Sequence, residues 1–143
     1  MPNWCYNYVC VTHEDAEKIA QLAQTIENGN TFEHFIPLPN GEWDWDFCVS
    51  NWGTKWDICH PQIHARHDKM LDLYFETAWS PPIGVFEAMK KAGYVVQAEY
   101  WEEGGFYVGR WSDGIDECYE PDQAPEELSH LVAYMHPDEG EAA

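Results

Sequence analysis

The chain has 143 residues, enough for one domain that buries about two-thirds of the surface exposed by its unfolded form. Its 26 acidic residues outnumber 7 Lys and Arg, and the formal net charge of −19 disfavours direct binding to nucleic acid or anionic membranes. Apolar runs are short, and no basic segment followed by an apolar stretch occurs near Met1. We therefore expect a soluble, cytoplasmic protein without a membrane span.

The segment that opens the chain predicts a strand followed by a helix. Residues 4–12 are β-branched and aromatic, which favours a strand. Thr12 offers an N-cap hydroxyl with Asp15 three residues later, and apolar residues then recur at helical spacing until Gly29. We expect this helix to cover one face of a sheet.

The middle of the chain predicts a connector, a short helix and two paired strands. Two prolines make residues 32–39 a connector, and residues 42–52 favour a short tryptophan-bearing helix. Between residues 55 and 79 the pattern is typical of two strands with a polar connection near residues 67–69. The second of these strands, residues 70–79, alternates apolar and polar side chains.

The next elements are a helix and a hairpin. Ser80 is expected to cap a helix that begins at Pro81 and ends at Gly93. Residues 94–101 and 106–111 predict two strands, because both are rich in β-branched and aromatic residues and a glycine-containing turn joins them.

The order of the elements predicts the fold class. Pro125 opens a last helix with an apolar stripe, and residues 137–143 form an acidic tail. The first six elements read β-α-β-β-α-β, which is the ferredoxin-like or split βαβ arrangement of an antiparallel sheet with helices on one face. We expect an α+β fold in which residues 1–136 form a single domain, with a tryptophan-rich insert and a C-terminal hairpin and helix.

Three short strings carry a resemblance to a known family. They are Met1-Pro2-Asn3-Trp4-Cys5, Trp52-Gly53-Thr54-Lys55-Trp56-Asp57 and Thr77-Ala78-Trp79-Ser80-Pro81-Pro82. With these strings, most of residues 1–111 resembles the YubB-type ferredoxin-like family of small proteins carried by bacteriophages and conjugative plasmids. The resemblance implies a ferredoxin-like fold, a mobile-element origin and a bacterial host cell. It brings no reaction, cofactor or catalytic residue.

The acidic residues after Arg110 form the first candidate binding site. Residues 111–143 carry ten acids and no Lys or Arg. One interpretation is that this charge maintains solubility, and the other is that it attracts a basic partner. On the second interpretation, the predicted partner-binding residues are Asp113, Asp116, Glu117, Glu120, Asp122, Glu126 and Glu127.

A second candidate is aromatic. Trp56, Asp57, Trp79 and Tyr100 lie in or near the tryptophan strings. Such residues either fix the core and its turns through indole N–H hydrogen bonds or form a shared concave patch that holds a ligand. The second interpretation requires the rings to be partly exposed together.

Histidines supply a weak metal candidate. On a helix, His60, His64 and His67 would share one face, as metal ligands do. Pro61 and the predicted strand instead place His60 and His64 on one face and His67 on the other. No metal site is therefore assigned, and the five cysteines, which lack a CxxC pair, are expected to be small buried residues without disulfides.

The sequence contains no glycine-rich phosphate loop, GxSxG turn or Cys–His nucleophile motif, so we predict a non-catalytic protein without a cofactor. The favoured hypothesis is an acidic mobile-element protein that binds and inhibits a basic, nucleic-acid-handling host protein or nucleoprotein complex. It would act as a nucleic-acid mimic of the anti-CRISPR or anti-restriction kind. The alternatives are a small-molecule or nucleotide sequestering protein that uses the aromatic patch, and a metal-dependent enzyme.

Overall fold

An antiparallel sheet of six strands organises the chain in this computed structural model, which describes residues 3–135. The order across the sheet is β2-β3-β1-β4-β5-β6, and all neighbours are antiparallel. The strands are β1 (Trp4–Thr12), β2 (Cys59–His67), β3 (Met70–Ala78), β4 (Val95–Glu102), β5 (Val108–Ser112) and β6 (Ile115–Tyr119). The helices are α1 (Ala16–Asn28), α2 (Thr31–Phe35), α3 (Trp45–Asn51), α4 (Ile83–Lys91) and α5 (Ser129–Met135).

Strict alternation along the strands gives the sheet two unlike faces. In β1, Cys5, Val9 and Val11 are buried, whereas Tyr8 and Cys10 on the opposite face are partly exposed. This confirms that Cys5 and Cys10 point to opposite sides, as the strand period of two requires. We call the face that carries Tyr8 and Cys10 the open face.

The other face carries the main hydrophobic core. Helices α1 and α4 pack on it through side chains such as Leu22 and Phe86, which join Val9 and Leu71 from the strands in one cluster. Helix α5 lies on the open face instead, where Leu131 belongs to a separate, smaller cluster. The mixed α+β class predicted from the element order is confirmed.

Two predicted helix caps are wrong. Thr12 remains in β1, and the N-cap of α1 is Asp15, whose carboxylate accepts a hydrogen bond from Glu17 N at 3.0 Å. Ser80 does not cap α4, because its hydroxyl donates to the Gly53 carbonyl and the helix begins only after Pro82. Thr12 is a strand residue and the Ser80 hydroxyl bonds a distant carbonyl, so neither side chain is free to cap a helix.

The structure also adds elements that the sequence did not indicate. Residues 31–35 of the predicted connector form α2, and β6 follows β5 as an edge strand. The expected C-terminal helix is divided into a 3₁₀ turn at Glu126–Leu128 and α5. The predicted acidic tail at residues 137–143 lies outside the described residues. None of the helices within residues 3–135 is both long and apolar enough to cross a membrane.

Candidate functional site

From Asn3 onward, the three strings that carry the resemblance meet at one end of the sheet. Thr54 Oγ1 donates to the Ala78 carbonyl at 2.9 Å, and Trp79 N donates to the Asn3 carbonyl at 2.9 Å. A Cβ added to Gly84 would lie 1.8 Å from the Asn51 carbonyl oxygen, so only glycine allows the start of α4 to approach α3 this closely. The strings therefore build a structural junction.

The tryptophans divide into buried and exposed groups. Trp52 is 1% exposed, and its indole N donates to the Ile36 carbonyl at 2.9 Å, as expected of a core residue. Trp43, Trp45 and Trp79 are between 52% and 54% exposed. The structural and the functional interpretations of the tryptophans thus apply to different members of the same set.

The structure does not bring the four predicted patch residues together. The Asp57 carboxylate accepts hydrogen bonds from Phe32 N at 2.8 Å and Glu33 N at 3.0 Å, and so holds the start of α2. Burial raises the pKa of this carboxyl, although the backbone N–H groups bonded to it oppose that shift. Tyr100 is buried, and its hydroxyl donates to Asp116.

Trp56 and Trp79 remain partly exposed, and a different set of neighbours surrounds each. Trp56 lies against Trp4, with ring centroids 6.2 Å apart, and Lys55 Nζ lies 4.4 Å from the centroid of the Trp56 ring. The Lys55 ammonium therefore makes a cation–π contact with Trp56. Trp79 lies instead with Trp45 along a groove of about 320 Å³.

We call Trp43, Trp45, Val49 and Trp79, which are exposed, together with the half-buried Lys55, the tryptophan patch. Helix α3 and the segment before it supply the first three residues, and the segments after α3 and after β3 supply Lys55 and Trp79. The Trp43 indole N donates to the Lys55 carbonyl at 2.7 Å, which links the two sides. The patch is therefore assembled from segments far apart in sequence, which is why the sequence did not indicate it.

Trp79 adopts an unusual backbone conformation. Its φ is 71°, in the left-handed region, which costs a bulky L-residue roughly 1–2 kcal/mol. Its backbone is held on both sides, because its N–H donates to Asn3 and its carbonyl accepts from the Tyr107 hydroxyl. The surrounding contacts thus maintain a strained conformation that leaves the indole at the surface.

A second concave region lies on the open face. This groove, about 690 Å³ in volume, crosses strands β3, β1, β4 and β5 and reaches the β5–β6 turn. We call it the acidic groove. Its charged lining consists of four carboxylates and one guanidinium, from Asp72, Glu99, Asp113, Glu117 and Arg110.

The one cation of the acidic groove is already paired. Arg110 lies 3.3 Å from Glu117, which also accepts a hydrogen bond from the Tyr119 hydroxyl at 2.7 Å. These hydrogen bonds, Tyr119 first and then Arg110, hold the pKa of Glu117 below its usual value. With more acidic than basic side chains in its lining, the groove favours a cationic occupant.

Helix α5 borders the groove and covers the neighbouring part of the open face. His130 Nε2 lies 2.8 Å from Glu99 Oε1, and the Tyr134 ring lies 6.0 Å from the Tyr8 ring. The Tyr6 ring lies 4.5 Å from the Trp101 ring. Trp4, Tyr6 and Tyr8 occupy alternate positions of β1, so the sequence indicates that one face of this strand is aromatic. The apolar residues that alternate with them indicate the buried face more clearly.

Three of the seven predicted partner-binding acids are engaged within the chain. Asp113 lies 3.3 Å from Lys90 Nζ, Asp116 accepts from Tyr100, and Glu117 pairs with Arg110. The other four are exposed on the segment from the end of β6 to the start of α5, and no ion pair among residues 3–135 involves them. We call Glu120, Asp122, Glu126 and Glu127 the acidic segment.

The three predicted histidines do not converge. His60 Nδ1 lies 3.2 Å from Glu76, and His64 stacks on Tyr74 with ring centroids 6.3 Å apart, while His67 ends β2. In the described part of the chain, no group of three His, Cys, Asp or Glu side chains is placed to hold a metal ion.

Comparison with known proteins adds no relative to this description. The chain has no significant match among known protein families, among characterised proteins or among solved structures.

Proposed function

We propose that this chain is a non-catalytic acidic protein that binds and inhibits a basic, nucleic-acid-handling protein through the acidic groove and the acidic segment. The observation that carries the proposal is the excess of acid in the groove, whose charged lining is four carboxylates and one arginine. Arg110 pairs with Glu117, while Asp113 and Glu99 also contact Lys90 and His130 outside the lining. Such a surface attracts cationic side chains and raises the rate at which a basic partner associates.

The carboxylates of the acidic segment add to the negative potential of the groove. Glu120 and Asp122 are exposed directly after β6, and Glu126 and Glu127 are exposed before α5. Lys and Arg are absent from residue 111 onward, and no ion pair within residues 3–135 involves these four carboxylates. A protein that binds nucleic acid presents cations to phosphates, and carboxylates of this segment compete for those cations.

We also propose that β1, α1, β2, β3, α4 and β4 form the ferredoxin-like split βαβ arrangement. Two observations support this: the order β2-β3-β1-β4 with every neighbour antiparallel, and the packing of α1 and α4 in one core on the same face. The proposed mobile-element origin, and with it an anti-CRISPR or anti-restriction role in a bacterial cytoplasm, rests on the resemblance of the three strings.

Affinity capture from a bacterial lysate tests the proposed function. The native chain is immobilised, bound proteins are identified by mass spectrometry, and elution is followed from 0.1 to 1 M NaCl, over which the Debye length falls from about 10 to about 3 Å. We expect basic nucleic-acid-binding proteins that elute as the salt concentration rises. Capture of proteins without a basic bias, or capture that high salt leaves unchanged, contradicts the proposal.

A matched pair of variants separates a local site from net charge. The segment variant carries Glu120→Gln, Asp122→Asn, Glu126→Gln and Glu127→Gln. The control variant removes the same charge from exposed positions elsewhere, with Glu14→Gln, Glu17→Gln, Glu27→Gln and Asp68→Asn. We expect the segment variant to capture about tenfold less of the basic proteins, and the control variant to stay within about twofold of the native chain. Equal losses in both variants contradict a site at the acidic segment.

A further inference from the structure

We propose that the tryptophan patch is a second docking surface, which takes an arginine-bearing apolar segment of the same basic partner. The inference rests on the proposed function, because it assigns the partner a second contact. It concerns a different region of the chain, since the patch contains none of the groove residues or the acidic segment.

The clustering of exposed indoles is the first argument. Single exposed tryptophans are ordinary, but Trp45 and Trp79 each expose about half of their surface along one groove. Trp43 is equally exposed and donates its indole N–H to the carbonyl of Lys55, which lines the same groove. Half of three indoles amounts to a few hundred Å² of apolar surface, the scale at which exposed patches mark interaction sites. Tryptophan is also among the residues that contribute most to binding at protein interfaces.

The second argument is that hydrogen bonds hold the Trp43 indole and the Trp79 backbone in place. Trp43 is fixed by its hydrogen bond to the Lys55 carbonyl, and the backbone of Trp79 is fixed on both sides in a left-handed conformation. A ring that is ordered before binding loses little conformational freedom when it is covered. The strained backbone at Trp79 is therefore maintained for a residue whose indole contributes little to the core.

The charge around the tryptophan patch favours a cationic occupant. Glu42, Asp44 and Asp46 are exposed and alternate in sequence with Trp43 and Trp45. A cationic side chain placed on an indole beside these carboxylates gains both a cation–π contact and charge attraction.

The chain itself contains one example of this contact, with the Lys55 ammonium 4.4 Å from the centroid of the Trp56 ring. Arginine fits the patch better than lysine because its planar guanidinium stacks on aromatic rings while it pairs with a carboxylate.

The same charges disfavour a second copy of the chain as the occupant. Two chains with a formal net charge of −19 repel each other, and a patch-to-patch contact related by a two-fold axis would bring both sets of Glu42, Asp44 and Asp46 together. An apolar segment that carries arginine meets the indoles and the carboxylates without that penalty.

The experiment uses the indole N–H signals of the intact chain as site-specific reporters in ¹⁵N–¹H NMR spectra. The eight tryptophan signals are assigned by single Trp→Phe variants. The probe is a synthetic peptide of about twelve residues that contains arginine and leucine. Two further peptides replace every arginine by citrulline, which removes the charge but keeps the shape, or every leucine by serine.

We expect the arginine–leucine peptide to shift the Trp45 and Trp79 signals, and both replacements to weaken binding by about tenfold. The buried Trp52 and Trp111 signals are the internal control. The variant Trp45→Ser with Trp79→Asn should abolish the response, because asparagine tolerates the left-handed conformation and keeps the fold. The matched control, Val95→Ser with Phe106→Ser, removes exposed apolar side chains outside the patch and should bind normally.

Four outcomes overturn the inference. If only the Trp4 and Trp101 indole signals shift, the peptide binds on the open face. The tryptophan patch is then not its site, but the proposed binding of a basic partner is retained. Equal binding of the citrulline peptide shows an apolar occupant that does not need charge. Patch signals that change with protein concentration alone show self-association. The absence of binding by any arginine peptide at 0.1 M NaCl removes the patch inference and leaves the lysate capture to decide the proposed function.

Discussion

The acidic groove and the tryptophan patch differ in position, in composition and in the range over which they act. The groove lies around Cys10 on β1, and the patch begins beyond Trp4 at the other end, about 20 Å away along the strand. Carboxylates in the groove attract a basic partner over distances comparable to the Debye length, whereas exposed indoles act only on contact. On the proposed function, the groove would attract a class of basic proteins and the patch would select one member of that class.

Core and patch tryptophans give the largest expected contrast. Trp52→Ala should lower the free energy of unfolding by about 3–5 kcal/mol, because a buried indole is lost and a cavity remains. Trp79→Gly should leave that free energy unchanged or raise it by up to about 1 kcal/mol, since glycine accepts the left-handed backbone. Chemical denaturation followed by circular dichroism measures both. A loss at Trp79 as large as that at Trp52 would show that the patch is structural.

Salt should separate the two regions next. Between 0.1 and 1 M NaCl we expect the affinity for the captured basic protein to fall about a hundredfold, because screening removes the attraction of the groove and the acidic segment. The segment variant should start weaker and show a shallower dependence on salt. Surface plasmon resonance at several salt concentrations gives the dependence of the affinity on salt. If this dependence is identical for the native chain and the segment variant, the acidic segment is not the source of the salt-sensitive binding.

Removal of the patch should have a smaller effect and a different signature. We expect Trp45→Ser with Trp79→Asn to weaken the same complex by about tenfold, with an unchanged salt dependence and a faster dissociation rate. The same resonance measurements report the rate constants. A variant that lost only the salt-dependent part of the affinity would show that the indoles act through the groove.

Alkaline pH should produce the smallest of these effects, and Tyr6 on the open face contributes one part of it. Partial burial, and then the hydrogen bond to Glu103, raise the pKa of Tyr6 to about 12 from its usual value of 10.0. Because the folded chain holds this proton more tightly than the unfolded chain does, the contribution of Tyr6 to stability is complete below pH 10 and is lost as the pH rises from about 10 to about 12. Denaturation at pH 8 and at pH 11 measures the change. The loss should be smaller in Tyr6→Phe, and an equal loss would exclude Tyr6 as its source.

The sequence predicted the strands well because their side chains alternate clearly. Met70–Ala78 appears where the alternation placed it, and Trp4–Thr12 where its β-branched and aromatic residues placed it. The turn between β2 and β3 occupies the expected position. Helix starts were less predictable. The Ser80 hydroxyl reaches Gly53, 27 residues away in sequence, and local spacing carries no information about such a contact.

The candidate sites were harder to predict for the same reason. Sequence reasoning found Trp79 and the acidic residues after Arg110, because composition alone marks them. It did not predict that Trp79 and Trp45 line one groove, because their positions depend on how the tryptophan-rich insert folds against the end of β3. It also did not show that Asp116 and Glu117 serve intramolecular hydrogen bonds while Glu120 remains exposed.

We propose that carboxylates of this chain occupy the cationic surface with which a partner binds nucleic acid. Displacement of labelled duplex DNA from the captured basic protein tests it most directly, with fluorescence anisotropy as the measurement. We expect the native chain and the control variant to release the DNA, and the segment variant to do so only at about tenfold higher concentration. DNA that stays bound while the chain also binds would contradict it.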